Sequence, residues 1–336
     1  MSSLIVEVCK IEGMCVHSGA GALDLAQIKG WQCVTPKGKY APGDPVTYIP
    51  IDAVIPAEHS DRWGITKYLS NGRVRCARLR GEPSFGVIVD RDDTNWPEGL
   101  DVQDHYGITK YVPPIKISAG DAEPPHPLFV EYTDVENLQN FPAVFTEGEE
   151  VSVSEKIHGT SCRLGLVEGE WMAGSMSVRR RRPEDPAGSI YWQPMGLPGV
   201  QDLLSHLGGS HRQVILYGEV YGSKVQSLTY GQTGASGFRA FDLLADGKYL
   251  DADVFAALCA LFGVPAVPVL YRGPYALETV KALSEGATTL GADHIREGVV
   301  VRPVLERTDP KVGRACLKYI GDPYLFAKNV TDSNDV

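Results

Sequence analysis

The 336-residue chain reads as an α+β protein of two domains. Three observations carry that reading. The length exceeds that of one ordinary domain. Short β-patterned runs bounded by Gly, Pro or Asp recur along the whole chain, and 36 glycines and 23 prolines supply the many turns they need. Well-marked helices are few, and the two clearest both fall in the second half.

The first domain is read over residues 1–115. Its strands are expected at SLIVEVCKI (3–11), GWQCVTPKG (30–38), DPVTYIPI (44–51), RVRCARLRG (73–81) and SFGVIVD (84–90). Five short strands over this length suit a small Greek-key barrel such as an OB-fold. GALDLAQIKG (21–30) is the best helix candidate there. The pentapeptide GITKY occurs twice, at 64–68 and 107–111. Its flanks do not match, so it reads as a coincidence or a reused turn. A Pro-rich linker follows over residues 116–148, ending in a short helix at DVENLQN (134–140) with Asp134 as its N-cap.

The second domain is read over 149–336. EEVSVSEKI, SCRLGLVEG, EWMAGS, QVILYGEVYG, GFRAFDLLA, PAVPVLYRG, EGVVVRPV and RACLKYIG are its strands. DADVFAALCALFG (251–263) is a helix with acidic residues at its start and Gly263 as its stop, and YALETVKALSEGA (275–287) is a second. The sum is an α+β domain dominated by antiparallel sheet.

Charge and cysteine use bound the function. A net charge of −10 argues against coating nucleic acid by bulk charge. Local basic tracks remain at GRVRCARLRG (72–81) and SVRRRRP (177–183), and phosphate contacts need only local charge. Arg73 and Arg75 share one strand face, and Arg78 and Arg80 share another. A bulge between the pairs would align all four. Seven scattered cysteines without a C-x-x-C suggest neither a zinc site nor a disulfide framework. The N-terminal apolar run is too short for a signal peptide, and no run is long enough to span a bilayer. A soluble, cytoplasmic protein is expected.

The chemistry centres on SEKIHGTSCR (154–163). Lys156 ends a strand pattern, and Gly159 permits a tight turn just beyond. A lysine amine attacks only when neutral, and moving its pKa from about 10.4 to near 7 costs roughly 4–5 kcal/mol. Desolvation and neighbouring cations supply that; a flexible exposed lysine cannot. Charged residues interrupt four other apolar strands: Glu219, Asp242, Glu297 and Lys318. A charge inside a strand that otherwise reads as core carries a desolvation cost. Four in one domain imply one shared polar cavity.

The ordered set EKIHGTS, LYGEVYG, FRAFDLL, REGVVV and LKYIG resembles the motifs of covalent nucleotidyltransferases, the polynucleotide ligases and mRNA capping enzymes. The K-x-H-G-T form, with His where DNA ligases and capping enzymes carry Asp, is similar to RNA ligases. Residues 28–56 with RLRGEPSFGVIV resemble the OB-like domain in front of one branch of ATP-dependent RNA ligases. The chain after the last motif is too short for the C-terminal OB domain of DNA ligases and capping enzymes.

The resemblance implies an OB-like barrel followed by a nucleotidyltransferase domain, and an ATP-dependent RNA ligase. Lys156 would attack the α-phosphate of ATP, AMP would pass to an RNA 5′-phosphate, and a 3′-hydroxyl would seal the joint. Glu155 would contact adenine and Phe238 would stack on it, with Phe241 as the alternative. Arg163 and an arginine of SVRRRR, taken as Arg179, would contact ribose or phosphate. Glu219 would hold the ribose, Glu297 would support Mg2+ or Mn2+, and Lys318 would neutralise the α-phosphate. His158 would act in transfer or sealing. Relatives carry two lysines in a K-x-K pattern in the last motif. Here Cys316 stands at the first, so Arg314 or Lys311 substitutes, or one cation suffices.

RNA ends or nicked duplexes containing RNA are the expected partners, with no protein partner and no membrane. Two other readings compete: a DNA ligase or GTP-using capping-type enzyme, and a non-catalytic two-domain RNA-binding protein. In the last, Trp31, Tyr40, Tyr48 and Phe85 would be the stacking aromatics.

Overall fold

A computed structural model describes residues 4–112 and 121–327. They form two compact units, one from each segment. The first holds two three-stranded antiparallel sheets. Strand β1 (Glu7–Lys10) pairs with β5 (Pro45–Ile49), which pairs with β6 (Val87–Val89). The other sheet is β2 (Gly13–Val16), β3 (Leu23–Ile28) and β4 (Trp31–Pro36). The expected helix at 21–30 is therefore β3. Its alternation buries Leu25, Ala26 and Ile28, and Gly30 at φ +75° turns the chain into β4.

The two GITKY copies share a local cause. Gly64 lies just beyond helix α1 (Ala57–Arg62), and both Gly64 and Gly107 take positive φ. In each copy the isoleucine N–H closes a six-residue ring, Ile65 to the Ser60 carbonyl and Ile108 to that of Gln103. This is the Schellman arrangement, with its glycine in the left-handed region and an apolar residue next. It is a reused turn. Three of the four aromatics offered for strand stacking, Trp31, Tyr48 and Phe85, are buried in this unit's interior. Arg73 is buried too, bonded to Asp52 at 2.8 Å through Nε and lying over the Tyr111 ring. The four-arginine track is thus reduced to exposed Arg75, Arg78 and Arg80.

The second unit is built on two larger sheets. In the five-stranded sheet, β7 (Glu150–Lys156) lies between β13 (Val269–Pro274) and β14 (Gly298–Pro303), and β15 (Leu317–Ile320) lies beyond β14. The short strand Glu136–Asn137 closes that edge, parallel to β15. The six-stranded antiparallel sheet runs β10 (Arg179–Arg180), β9 (Glu170–Gly174), β8 (Thr160–Val167), β11 (Gln213–Tyr221), β12 (Gly237–Ala245), then Lys248–Tyr249. Helices α2 (Val200–Gly208) and α3 (Ala252–Phe262) bury one face of it in a core with Leu164, Leu216, Val220, Phe238 and Ala240. Helix α4 (Leu277–Ser284) covers β14 and β15, and α5 (Asp322–Phe326) follows β15.

The helix expected at 134–140 is absent. Leu138, which follows the short strand, donates its N–H to the Lys318 carbonyl, a sheet bond that replaces a helical one. Phe129, Leu138, Phe141, Val144 and Phe145 are buried, so residues 121–148 pack with this unit. The rest of the expected linker, 116–120, lies outside the described residues. No helix among the described residues is long and apolar enough to cross a membrane.

Candidate active site

Strand register decides which side chains meet. Successive residues of a strand point to opposite faces, and directly paired residues share a face. Lys156 pairs with Gly298, which pairs with Ile320. One row along, Ser154 pairs with Val300, which pairs with Lys318. In the third row Ser152 pairs with Arg302. Lys156, Ser154, Val300 and Lys318 are half-buried on this face, whereas Val153, Glu155, Val299, Val301 and Tyr319 are buried on the other. Two lysines thus project from the open face of one sheet.

Glu297 immediately precedes Gly298, opposite the end of β7. Its carboxylate is 0% exposed and accepts from Lys156 Nζ. A Cβ at Gly298 would overlap the Tyr319 carbonyl, so glycine is what lets β14 and β15 close here. Between Lys156 and Thr160 the chain leaves one sheet and joins the other. A Cβ at Gly159 would overlap the Val220 carbonyl oxygen and come 2.9 Å from Glu219 Cγ. The glycine serves that close approach, which brings Glu219 beside the nucleophile loop. Glu219 itself is half-buried, paired with Ser161 and Arg239 on the face of the six-stranded sheet away from α2.

A cavity of about 230 Å³ opens further along the Lys156 face. Ser152, Ser154 and Arg302 line it from the five-stranded sheet, Phe241 from β12, and Phe255 and Cys259 from α3. Ser154 stands two residues, about 7 Å, from Lys156 along the strand. Phe241 reaches the cavity because β12 shifts register: Tyr217 pairs with Asp242 and Gly218 with Ala240. The skipped residue is Phe241.

Asp242 holds Arg302, one of the side chains that line the cavity. Its wholly buried carboxylate accepts from Arg302 at 2.8 Å, Arg314 at 2.6 Å and the Tyr132 hydroxyl at 2.8 Å. Burial and the Asp242 charge push the Tyr132 hydroxyl well above its ordinary range, so this is a neutral donor. For Arg302 burial works against the charge, and Asp242 together with the neighbouring Tyr132 and Cys316 more than offsets it, raising its pKa.

Lys156 and Lys318 therefore share one sheet face, Glu297 contacts Lys156, and Glu219 lies beside the turn at Gly159. Five other assignments change. Phe238 is 3% exposed in the core beneath α2 and α3, where its ring lies against Gly218. It cannot stack on a ligand from there; the alternative, Phe241, lines the cavity. Glu155 points away from Lys156, and its carboxylate takes the Thr288 hydroxyl, the Thr289 N–H at 2.9 Å and the Thr289 hydroxyl at 2.5 Å. Arg163 is buried over the Phe129 ring and donates to the carbonyls of Ser175 at 2.8 Å and Phe129 at 2.7 Å. Burial lowers its pKa from the usual arginine range. Arg179, on β10, bonds Glu170 at the edge of its sheet. His158 is 3% exposed, with Tyr324 and Ser227 on its two ring nitrogens, so it does not face a substrate. Strict strand alternation, applied to Glu155 beside Lys156, was the signal available for the second of these.

Comparison with known proteins follows this geometry. A family model described as RNA ligase matches residues 149–320, and an OB-fold domain model matches residues 5–90. A Naegleria gruberi RNA ligase variant solved with ATP and Mn is 26% identical, covering 96% of this chain and 98% of that one, with a TM-score of 0.75. The same RNA ligase with PPi, and a variant with AMP and Mn, are each 26% identical over the same shares at 0.74. No curated protein shows significant sequence similarity to the chain.

Proposed function

The chain belongs to the RNA ligase family, in a form with an N-terminal OB-fold domain, and from that premise we propose that it joins RNA 5′-phosphate and 3′-hydroxyl ends through an adenylate carried on Lys156. The observation that carries the reading is the Lys156 amine on the sheet face whose Ser152, Ser154 and Arg302 line a cavity of a base's scale, with Lys318 on the same face and buried Glu297 in contact with the amine. The similar structures with ATP, AMP and PPi support ATP as first substrate.

Adenine enters the cavity with Phe241 against its ring and Ser152 and Ser154 at its edge on the sheet side. Glu219, beside the nucleophile loop, accepts from the ribose hydroxyls. Lys156 Nζ, having lost one proton to solvent, attacks the α-phosphorus, the bond to the pyrophosphate oxygen breaks, and the nitrogen releases a second proton and keeps one N–H. Lys318 faces the developing charge on the α-phosphate and, as a second cation, favours the neutral amine. An RNA 5′-phosphate oxygen then attacks the same phosphorus, which breaks the N–P bond and regenerates the amine. Attack by a 3′-hydroxyl on the activated 5′-phosphate closes the phosphodiester and releases AMP.

A divalent cation, Mg2+ or Mn2+, supplies charge neutralisation at the phosphates when bound. Glu297 fits as one carboxylate ligand. Among the described residues no group of three or more His, Cys, Asp or Glu side chains could hold an ion alone. Phosphate oxygens and water would complete the coordination, the mode Mg2+ commonly takes at nucleotides.

The test is mass spectrometry of the protein after exposure to ATP or GTP with Mg2+ or Mn2+. An AMP adduct on Lys156, lost in Lys156→Ala together with sealing of a nicked RNA duplex, is expected. No adduct, or an adduct from GTP and none from ATP, overturns the proposal.

A further inference from the structure

Sheet bonding stops at Lys156 and resumes at Thr160 in the other sheet. The three residues between are held by side chains, and His158 is where they hold. Its main-chain N–H donates to Tyr230 Oη at 2.7 Å. Its Nδ1 lies 3.1 Å from Tyr324 Oη and its Nε2 3.3 Å from Ser227 Oγ. Both tyrosines are buried, and they come from distant segments: Tyr230 from the loop after β11, Tyr324 from α5.

Tyr230 takes φ +48°, a backbone conformation that bulky side chains rarely adopt. Such a conformation persists only where the surroundings over-determine it, and it clusters at functional sites. Here the Tyr230 N–H donates to His294 Nε2 at 3.3 Å, and the ring sits edge-on to His294 and Tyr221 with centroids 4.6 and 5.2 Å away. Burial pushes the Tyr230 hydroxyl far above its ordinary range, so it stays a neutral partner.

His158 in turn faces the carboxylate that holds the nucleophile: its Nδ1 lies 3.8 Å from Glu297 Oε2. We infer that Tyr230 and Tyr324 are positioning residues for ligation, clamping His158 and, through it, Glu297 and Lys156. The inference rests on the Lys156 adenylate reading and extends it to two segments outside the nucleotidyltransferase motifs.

The experiment compares Tyr230→Phe, Tyr324→Phe and His158→Ala, singly and paired, by rapid-quench adenylate formation over a range of ATP concentrations. Loss of one buried hydrogen-bond partner is worth about tenfold. Each Phe variant should lose about tenfold in kcat for adenylate formation, with KM for ATP within about twofold. Combined with His158→Ala, Tyr324→Phe should lose nothing further, because its hydroxyl contacts that side chain, whereas Tyr230→Phe should still lose, because the main-chain N–H it accepts from survives the substitution. A tyrosine needed merely for stability would lower Tm and leave the rate of the folded enzyme unchanged, which refutes the clamp, as does a Tyr324→Phe loss that multiplies with that of His158→Ala. Should Tyr230→Phe fail to fold, the Tyr324→Phe cycle decides alone. An absent adduct in the unsubstituted protein would sink the adenylate reading instead, so the two failures are distinct.

Discussion

Replacing Phe241 by alanine should raise the ATP requirement for adenylate formation and leave the fold standing. Replacing Phe238 should do the reverse. The two rings are three residues apart on β12, yet the register shift sends Phe241 to the cavity and Phe238 to the core. A base stacked on an aromatic ring is worth about 1–3 kcal/mol by alanine substitution. Phe241 already packs against Tyr132, with centroids 4.9 Å apart, so part of its surface is spent on the protein. The lower half of that range applies, a rise of roughly tenfold in KM for ATP. Phe238 is a core ring, and Phe→Ala in a core costs about 3–5 kcal/mol. At about 2–4 °C per kcal/mol for a unit of this size, Tm should fall by roughly 6–20 °C. Adenylate formation against ATP concentration, at a temperature where all variants are folded, and thermal unfolding of the same samples separate the two. An unchanged KM in Phe241→Ala, or a raised KM with unchanged Tm in Phe238→Ala, would refute the assignment of the cavity.

Two further outcomes follow from local geometry. Gly159→Ala should cost about 1–3 kcal/mol in stability, because the Val220 carbonyl it would meet is fixed in a strand ladder. It should slow adenylate formation about a hundredfold by displacing Lys156; a rate near that of the unsubstituted enzyme would show that the loop has slack. Burial alone would raise the Glu149 pKa, but Arg307 donates to both carboxylate oxygens, at 2.6 and 2.8 Å, and the net effect is a lowered value. A lowered folded-state pKa stabilises above the unfolded value of about 4.3 and is lost as pH falls through the folded one. Glu149→Gln should therefore flatten the acid limb of stability below about pH 4.3, read as Tm against pH, and an unchanged slope would contradict it.

Much of this architecture was legible in the residue pattern, and the failures share a cause. The strands of the second unit were found because their apolar runs are long and their stops are glycines. Helix α3 was found because Gly263 ends it at φ +71°. Residues 23–28 misled because Leu, Ala, Gln and Ile have good helix propensity, while the partners that make them a strand, β2 and β4, are tertiary facts. In the site, Lys156, Glu219, Glu297 and Lys318 stood out as charges in apolar strands. Asp242 stood out for the same reason, although the structure satisfies it with protein partners, as it does Glu155 and Arg163, which rested on the family resemblance. A charge in a strand signals burial near polar groups; it does not say whether the partner is a ligand or the protein. The shift that exchanges Phe238 for Phe241 leaves no sequence mark, since it is an event of pairing between two strands.

Charge balance bears on the open question of the last motif. Neither proposed substitute takes the place of the missing lysine. Arg314 is buried over the Tyr249 ring, with Asp242 and Glu306 on its guanidinium, and Lys311 lies exposed in the turn before β15. Arg302, on the Lys156 face, is held by Asp242 at 2.8 Å and approaches Glu306 at 3.6 Å. Two arginines thus meet two carboxylates, and this buried group is neutral. Cys316 sits against it, buried, with Sγ 3.9 Å from the Tyr132 hydroxyl. A lysine at 316 would bring a third cation to two anions, and an uncompensated buried charge costs several kcal/mol. The thiol, which burial keeps protonated by raising its pKa, is the side chain this balance accepts. Lys318, across Val300 from Ser154 on the Lys156 face, is then the motif's remaining lysine, the one to which the proposed mechanism gives the α-phosphate.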